Sequence, residues 1–167
     1  MPAQTSVRPS VVWRGARVLG ALSLLAVGAV HLQQYFELYS EIPTIGTLFV
    51  LNFVGATIVG IGLLAPVERV PGRLGGVMLP LLTVAGVAQA ATAFVFLWIS
   101  ERTPLFGFME PGYDPEAILF ARIAEVATVV LLGGFAIRLL ASALGSRRDG
   151  RRQPGDRAAG LRRPAPR

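Results

Sequence analysis

The chain has no cysteine and no lysine, and few of its 167 residues are charged. Without cysteine, structural disulfides, iron–sulfur clusters, thiolate zinc sites and thiol nucleophiles are excluded. Charged residues make up 16% of the chain and hydrophobic residues 53%, whereas soluble domains usually carry about a quarter charged residues. The shortage of charge indicates that much of the surface faces something other than water.

All 16 basic residues are arginine, and half of them lie near the C-terminus, between Ser146 and Arg167. This segment also holds three prolines and few apolar residues, so burial cannot offset the entropy of ordering it. We expect a disordered cytoplasmic tail over residues 146–167, with its arginines beside anionic lipid headgroups. The alternative is a specific contact with a protein or with nucleic acid, but nucleic acid is not expected as a partner.

Four apolar stretches are long enough to cross a lipid bilayer, which takes about 20 helical residues. They cover residues 16–38, 46–64, 74–99 and 115–144, after a cytoplasmic N-terminal segment over residues 1–15. The fourth begins with Asp114 as N-cap, Pro115 at the first helical position and Glu116 in the first turn. Gly145 is expected to end it. The short connections predict an all-α fold, an antiparallel up-down bundle of four transmembrane helices.

The distribution of charge predicts the orientation of this bundle. Fourteen of the 16 arginines fall on the side that carries both termini, and the opposite connections carry mainly acids. Those acids are Glu37, Glu41, Glu101, Glu110, Asp114 and Glu116. The positive-inside rule therefore places both termini in the cytoplasm of a multi-pass protein of the plasma (inner) membrane. The alternative is a signal peptide cleaved near Ala29, but the apolar pattern continues to Leu38, which favours a span.

The connection between the third and fourth spans has a composition of its own. Residues 103–113 alternate aromatic and aliphatic side chains with proline and glycine. Aromatic side chains prefer the membrane interface, so we expect this loop at the outer interface, covering the mouth of the bundle. The alternative is an ordinary solvated hairpin.

Polar side chains within the spans are the first candidates for a functional site, because ionisable groups are costly in hydrocarbon. At about 1.5 Å per helical residue, five of them fall at similar depth in the outer half of the membrane: His31, Asn52, Gln89, Arg122 and Glu125. Tyr35 follows His31 by four residues and shares its helix face. Glu125 is predicted to face the bundle interior and to bond to His31, Asn52, Gln89 or Arg122, either ionised or as a protonated acid.

No catalytic motif, phosphate-binding loop or pair of zinc-binding histidines is present in the sequence. We therefore predict no enzymatic activity, no cofactor and no metal. The first expectation is an accessory or interaction component that binds a membrane protein partner or a second copy of itself within the lipid bilayer. The first alternative is a proton-coupled or small-solute transporter using Glu125, His31 and Arg122. The second is a quinone- or haem-binding redox component using His31.

Two segments of the chain resemble a known pattern. They are His-x-x-x-Tyr at residues 31–35 and Pro-Thr-Ile-Gly-x-Leu-Phe-x-Leu-Asn at residues 43–52. This pattern resembles a family of uncharacterised four-helix integral membrane proteins of actinobacteria, and the loop at residues 105–110 and the Glu125 region are similar too. The likeness spans roughly residues 16–140. The architecture is also loosely similar to DoxX-like four-helix proteins. The resemblance implies a four-helix membrane fold and brings no particular activity.

Overall fold

A computed structural model describes residues 9–152, with side chains from residue 11 to residue 145. Its helices are α1 (Pro9–Gln34), a π-helix (Tyr35–Tyr39), α2 (Pro43–Leu64), a 3-10 turn (Val67–Arg69), α3 (Arg73–Ser100) and α4 (Pro115–Arg152). Over these residues the structure is all-helical and contains no strand, and an isolated bridge joins Leu105 and Phe108.

Four helices are long and apolar enough to cross a membrane: Val11–Tyr39, Pro43–Leu64, Arg73–Ser100 and Pro115–Gly145. On α2 the exposed apolar residues recur every three or four positions, at Leu51, Val54, Ile58 and Ile61. That spacing is one face of a helix, and its exposed side chains suit contact with lipid. The four predicted spans are therefore confirmed as helices of membrane-spanning length, as expected of a multi-pass membrane protein.

The helices extend beyond two of the predicted span ends. α1 begins at Pro9, before the predicted start of the span at residue 16, so the N-terminal segment is helical from residue 9 onward. α4 continues past Gly145 to Arg152, so residues 146–152 are helical rather than disordered. Arginine is a good helix former and its charge is favourable at a helix C-terminus, which offsets the cost of glycine, about 1 kcal/mol. The rest of the predicted tail, residues 153–167, lies outside the described residues.

The chain divides into two compact units between Ala136 and Ile137. In the second unit, Arg138 donates a hydrogen bond to the hydroxyl of Ser142 one helical turn later. The core of the first unit is made by side chains of α1, α2 and α4 that are completely buried: Ala21, Leu24, Ala56, Leu63 and Leu132.

Small residues let α1 and α2 approach closely in this core. A Cβ atom added to Gly28 would lie 2.9 Å from the Cβ of Ala56 and 3.5 Å from the Cα of Phe53. One added to Gly60 would lie 2.7 Å from the side chain of Leu25. Close backbone approach at small residues is a main source of helix association in lipid, so these glycines set the α1–α2 distance.

At the C-terminal end of α2, Arg17 of α1 bonds to the last turn of the helix. Its Nε donates to the carbonyl of Leu63 at 2.6 Å and its Nη1 to a carboxylate oxygen of Glu68 at 3.0 Å. Its Nη2 donates to the carbonyl of Ala65. The last carbonyls of a helix have no partner within it, so Arg17 satisfies them from a neighbouring helix. The hydrogen bond from Arg17 also lowers the pKa of the Glu68 carboxyl below its ordinary value.

Candidate ligand-binding cavity

A cavity of about 420 Å³ lies within the first unit, between α1, α2, α3 and the start of α4. Pockets that bind small molecules commonly measure about 300–1,000 Å³ and are mostly apolar, with a few polar groups. This cavity has that character. Its polar lining residues are His31, Gln34, Tyr39, Asn52, Gln89, Thr92, Ser100, Glu110 and Glu125.

Four of the six predicted site residues line this cavity, namely His31, Asn52, Gln89 and Glu125, whereas Tyr35 and Arg122 do not. The structure therefore brings together polar groups from all four long helices, at the positions where equal depth in the membrane suggested it. Equal depth does not determine how each helix is rotated about its own axis. This rotation decides which side chains face the cavity, and Tyr35 and Arg122 do not line it.

Glu125 is 1% exposed, and within the described residues neither of its carboxylate oxygens has a hydrogen-bond partner. Its burial was predicted, and one of His31, Asn52, Gln89 and Arg122 was predicted within hydrogen-bond or ion-pair reach; none of the four forms a hydrogen bond with it. Arg122 instead donates to both carboxylate oxygens of Glu101, just past the end of α3. Arg122 precedes Glu125 by three residues, almost one helical turn, which places its long side chain nearer to Glu101.

Tyr35 is turned away because the end of α1 is not an α-helix. Residues 35–39 form a π-helix, whose hydrogen bonds span five residues instead of four. Gln34, the last residue of α1, and Tyr39, the last residue of the π-helix, both line the cavity. The ring of Tyr35 packs edge-on against Phe36, at 5.2 Å between centroids. The predicted His31–Tyr35 face assumed α-helical spacing, which the π-helix interrupts.

The side chains of Gln89 and Asn52 join α3 to α2 beside the cavity. Nε2 of Gln89 donates to the backbone carbonyl of Asn52 at 2.7 Å and to its Oδ1 at 3.1 Å. The approach depends on Gly55, because a Cβ atom there would lie 2.9 Å from Oε1 of Gln89. The amide group of Gln89 thus donates to both oxygens of Asn52 across the helix interface, and neither residue bonds to Glu125.

The imidazole of His31 has a fixed orientation. Its Nδ1 lies 2.8 Å from the carbonyl oxygen of Val27. A carbonyl can only accept, so Nδ1 carries a proton and donates it, and Nε2 is the ring nitrogen left for another contact. The ring also packs on Phe49, at 5.0 Å between centroids. Over the described residues, no group of three or more His, Cys, Asp or Glu side chains could hold a metal ion.

The loop between α3 and α4 closes one end of the cavity, and Leu105, Phe108 and Glu110 from this loop line it. The hydroxyl of Tyr39 donates to Oε2 of Glu110 at 2.5 Å, and the Tyr39 ring meets Phe108 edge-on at 5.7 Å. The backbone N–H groups of Gly112 and Tyr113 donate to the other carboxylate oxygen, at 2.8 and 3.3 Å. Glu110 is thus buried with its carboxylate fully bonded.

A second contact ties the end of α1 to the start of α4. Nε2 of Gln34 donates to Oδ2 of Asp114 at 2.8 Å, and the N–H of Ala117 donates to Oδ1 at 3.0 Å. The second bond makes Asp114 the N-cap of α4, as predicted. The hydrogen bond from Ala117, followed by that from Gln34, lowers the pKa of the Asp114 carboxyl below its ordinary value.

Sequence reasoning missed Gln34, Tyr39 and Glu110 as lining residues. Gln34 was predicted to be adjacent to the His31–Tyr35 face but was not included in the site, although its spacing of three residues from His31 places both on one helix face. Tyr39 reaches the cavity only through the π-helix, which leaves no clear mark in the sequence. Glu110 lies in an irregular loop, where spacing gives no information about which direction a side chain faces.

Glu125 also borders a smaller cleft of about 240 Å³ between α3 and α4. Its other lining residues are all apolar: Ala91, Phe94, Val95, Val126, Val129 and Val130. Polar groups that could accompany Glu125 in holding a ligand are therefore found on the side of the larger cavity.

No family model, no curated protein and no solved structure matches this chain. The resemblance to actinobacterial four-helix membrane proteins accordingly stays a prediction, and the chemistry of the cavity has to be argued from its own residues.

Proposed function

We propose that this chain is a solute-binding protein of the plasma membrane, and that its cavity takes up a small organic molecule beside Glu125. The observation that carries the proposal is the carboxylate of Glu125, buried at the cavity wall without a hydrogen-bond partner among the described residues. Buried polar groups in proteins are nearly always bonded, and an exception calls for an explanation. A ligand that bonds to Glu125 supplies one.

An accessory protein whose polar cluster only joins its helices fits this carboxylate less well. Such a cluster needs Glu125 to bond across a helix interface, as Gln89 does with the carbonyl of Asn52. An interhelical hydrogen bond in a membrane stabilises the fold by about 0.6 kcal/mol on average. Burying a carboxylate without a partner destabilises the fold by more than that. The small-solute alternative, in which Glu125 meets the solute, accounts for both the cavity and the carboxylate.

The proposal includes an antiparallel up-down bundle with both termini in the cytoplasm, so that the cavity lies in the outer half of the membrane. Two contacts support the antiparallel arrangement: Gln34 with Asp114 at one end, and Arg17 with Leu63 at the other. The orientation is supported by the 14 of 16 arginines on the side of the termini and by the positive-inside rule.

The test is to measure binding of phenylbutanol, a neutral amphiphile, to the purified full chain in phosphatidylcholine nanodiscs by calorimetry, with empty nanodiscs as blank. Ala121 lines the cavity and is buried, so Ala121→Phe should fill the space and weaken binding by at least about tenfold. Ile123 is on the same helix, is exposed and lines neither cavity, so Ile123→Phe should bind like the parent chain. Equal binding by both variants, or no binding by the parent chain, would refute the proposal.

A further inference from the structure

We infer that the molecule bound in this cavity is an organic ammonium cation, with its charge at Glu125 and its apolar part against the aromatic wall. The inference rests on the proposed function and adds the chemical class of the ligand. Three features of the cavity support it: its acidic side chains, its hydrogen-bonding groups and its aromatic side chains.

The side chains of the cavity wall include two acids. The charged side chains among its lining residues are Glu110 and Glu125, and no arginine is among them. Arg122 is held by Glu101 at the end of α3, and both oxygens of Glu110 accept hydrogen bonds. Glu125 is therefore the acid in this wall that a cation can pair with. In a low-dielectric site that pairing is much stronger than in water, and an anion would meet repulsion.

The hydrogen-bonding groups of the cavity favour a donor. The Nε2 amide of Gln89 already donates to Asn52, and Nδ1–H of His31 already donates to Val27. The two oxygens of Glu125 have accepted no hydrogen bond from the described residues. An ammonium group brings up to three donors and no acceptor, so it matches carboxylate oxygens that lack donors.

Aromatic rings provide the rest of the wall. The rings of Tyr39 and Phe49 lie 4.6 Å apart between centroids, and Phe96 and Phe108 also line the cavity. The faces of aromatic rings attract cations, and this attraction is stronger where water is excluded. The same rings suit an apolar body. A volume of about 420 Å³ accommodates a small ammonium compound.

The experiment compares three probes with the same apolar body: phenylbutylammonium, phenylbutanol and phenylbutyrate. Each is titrated into the purified full chain in phosphatidylcholine nanodiscs, with empty nanodiscs as blank. We expect the ammonium to bind at least about tenfold more tightly than the alcohol, and the carboxylate to bind most weakly. If the alcohol binds as tightly as the ammonium, or the carboxylate binds more tightly, the ligand is not a cation although the cavity still binds solutes. If none of the three binds, the proposed function fails together with this inference.

Variants of Glu125 test whether this carboxylate causes the preference for the ammonium over the alcohol. Glu125→Gln should abolish the preference for the ammonium over the alcohol, and circular dichroism checks that the variant is folded. Glu125→Asp keeps the charge and should retain the preference. Glu116→Gln removes a charge from the exposed first turn of the same helix and should behave like the parent chain. An ammonium preference that survives in Glu125→Gln would overturn the assignment to this carboxylate.

Discussion

Two buried glutamates border the same cavity, and their surroundings differ in kind. Glu110 is 7% exposed, and its carboxylate accepts hydrogen bonds from a tyrosine hydroxyl and two backbone N–H groups. Glu125 is at least as deeply buried and has no partner among the residues described. A carboxylate bonded on all sides stabilises the loop around it. A buried carboxylate without partners lowers the stability of the fold. It is expected at a site where a bound ligand supplies the missing partner.

The bonded glutamate leads to a prediction about stability. Tyr39→Phe removes the hydroxyl that donates to Glu110 and keeps the ring. A hydrogen bond to a charged group contributes about 1.5–3 kcal/mol, so the free energy of unfolding in detergent micelles should fall by about that amount. Tyr113 is 67% exposed, and Tyr113→Phe should change it by less than about 0.5 kcal/mol. Unfolding of both variants is monitored by circular dichroism. Equal changes in their free energies of unfolding would argue against a stabilising Tyr39–Glu110 bond.

Asp114 leads to a prediction about pH. Its pKa in the folded chain is below the ordinary 3.8 because Ala117 and Gln34 donate hydrogen bonds to it. A lowered pKa means that the stabilisation is present above pH 3.8 and is lost as the pH falls through the folded value. Asp114→Asn keeps an N-cap residue but removes the titration, so its melting temperature should fall less steeply below about pH 4.

The control for this measurement is Glu116→Gln, which removes an acid from the same turn of α4. Glu116→Gln should retain the acid-dependent fall of the parent chain, because the side chain that Gln34 and Ala117 contact is still present. If Asp114→Asn and Glu116→Gln follow the same curve as the parent chain, Asp114 contributes nothing to the pH dependence.

At the scale of helices, Gly28 is one of the two glycines that set the spacing between α1 and α2. A Cβ atom at Gly28 would meet the Cβ of Ala56 at 2.9 Å and the backbone of Phe53, and neither of these can rotate away. Gly28→Ala should therefore force the helices apart and lower the free energy of unfolding by about 1–3 kcal/mol. Gly133 has open space at its Cβ position, so Gly133→Ala should leave stability unchanged or raise it by up to about 1 kcal/mol. An equal loss in Gly133→Ala would mean that contact with Ala56 and Phe53 is not what makes Gly28→Ala destabilising.

At the scale of the whole molecule, the sequence predicted the number and approximate positions of the spans, because apolar length is a direct requirement of the bilayer. The predicted end of α4 was wrong, because glycine commonly follows the end of a helix but Gly145 lies inside this one. Single glycines cost about 1 kcal/mol, and a run of good helix formers on either side outweighs that. Helix ends are therefore less predictable from sequence than the existence of the helices.

The candidate site was predicted in part, and the reason is geometric. Depth along a helix follows from counting residues, and depth alone placed His31, Asn52, Gln89 and Glu125 on one cavity. The partner of each side chain depends on helix rotation and on local irregularities. Arg122 consequently met Glu101 rather than Glu125, and the π-helix moved Tyr39 into the position expected for Tyr35. Neither outcome is encoded in the periodicity of an α-helix.

The last prediction concerns the orientation in the membrane. The chain has no cysteine, so a single introduced cysteine can be labelled without background. Val70 precedes α3 on the arginine-rich side and is 38% exposed, and Met109 lies in the loop before α4 and is 53% exposed. Because arginines are retained in the cytoplasm, Met109→Cys should react with a membrane-impermeant maleimide on intact cells. Val70→Cys should react only after permeabilisation, and the parent chain should not react at all. Labelling of Val70→Cys on intact cells would show that the orientation is the opposite one. The cavity would then lie in the inner half of the membrane, where a solute would reach Glu125 from the cytoplasm.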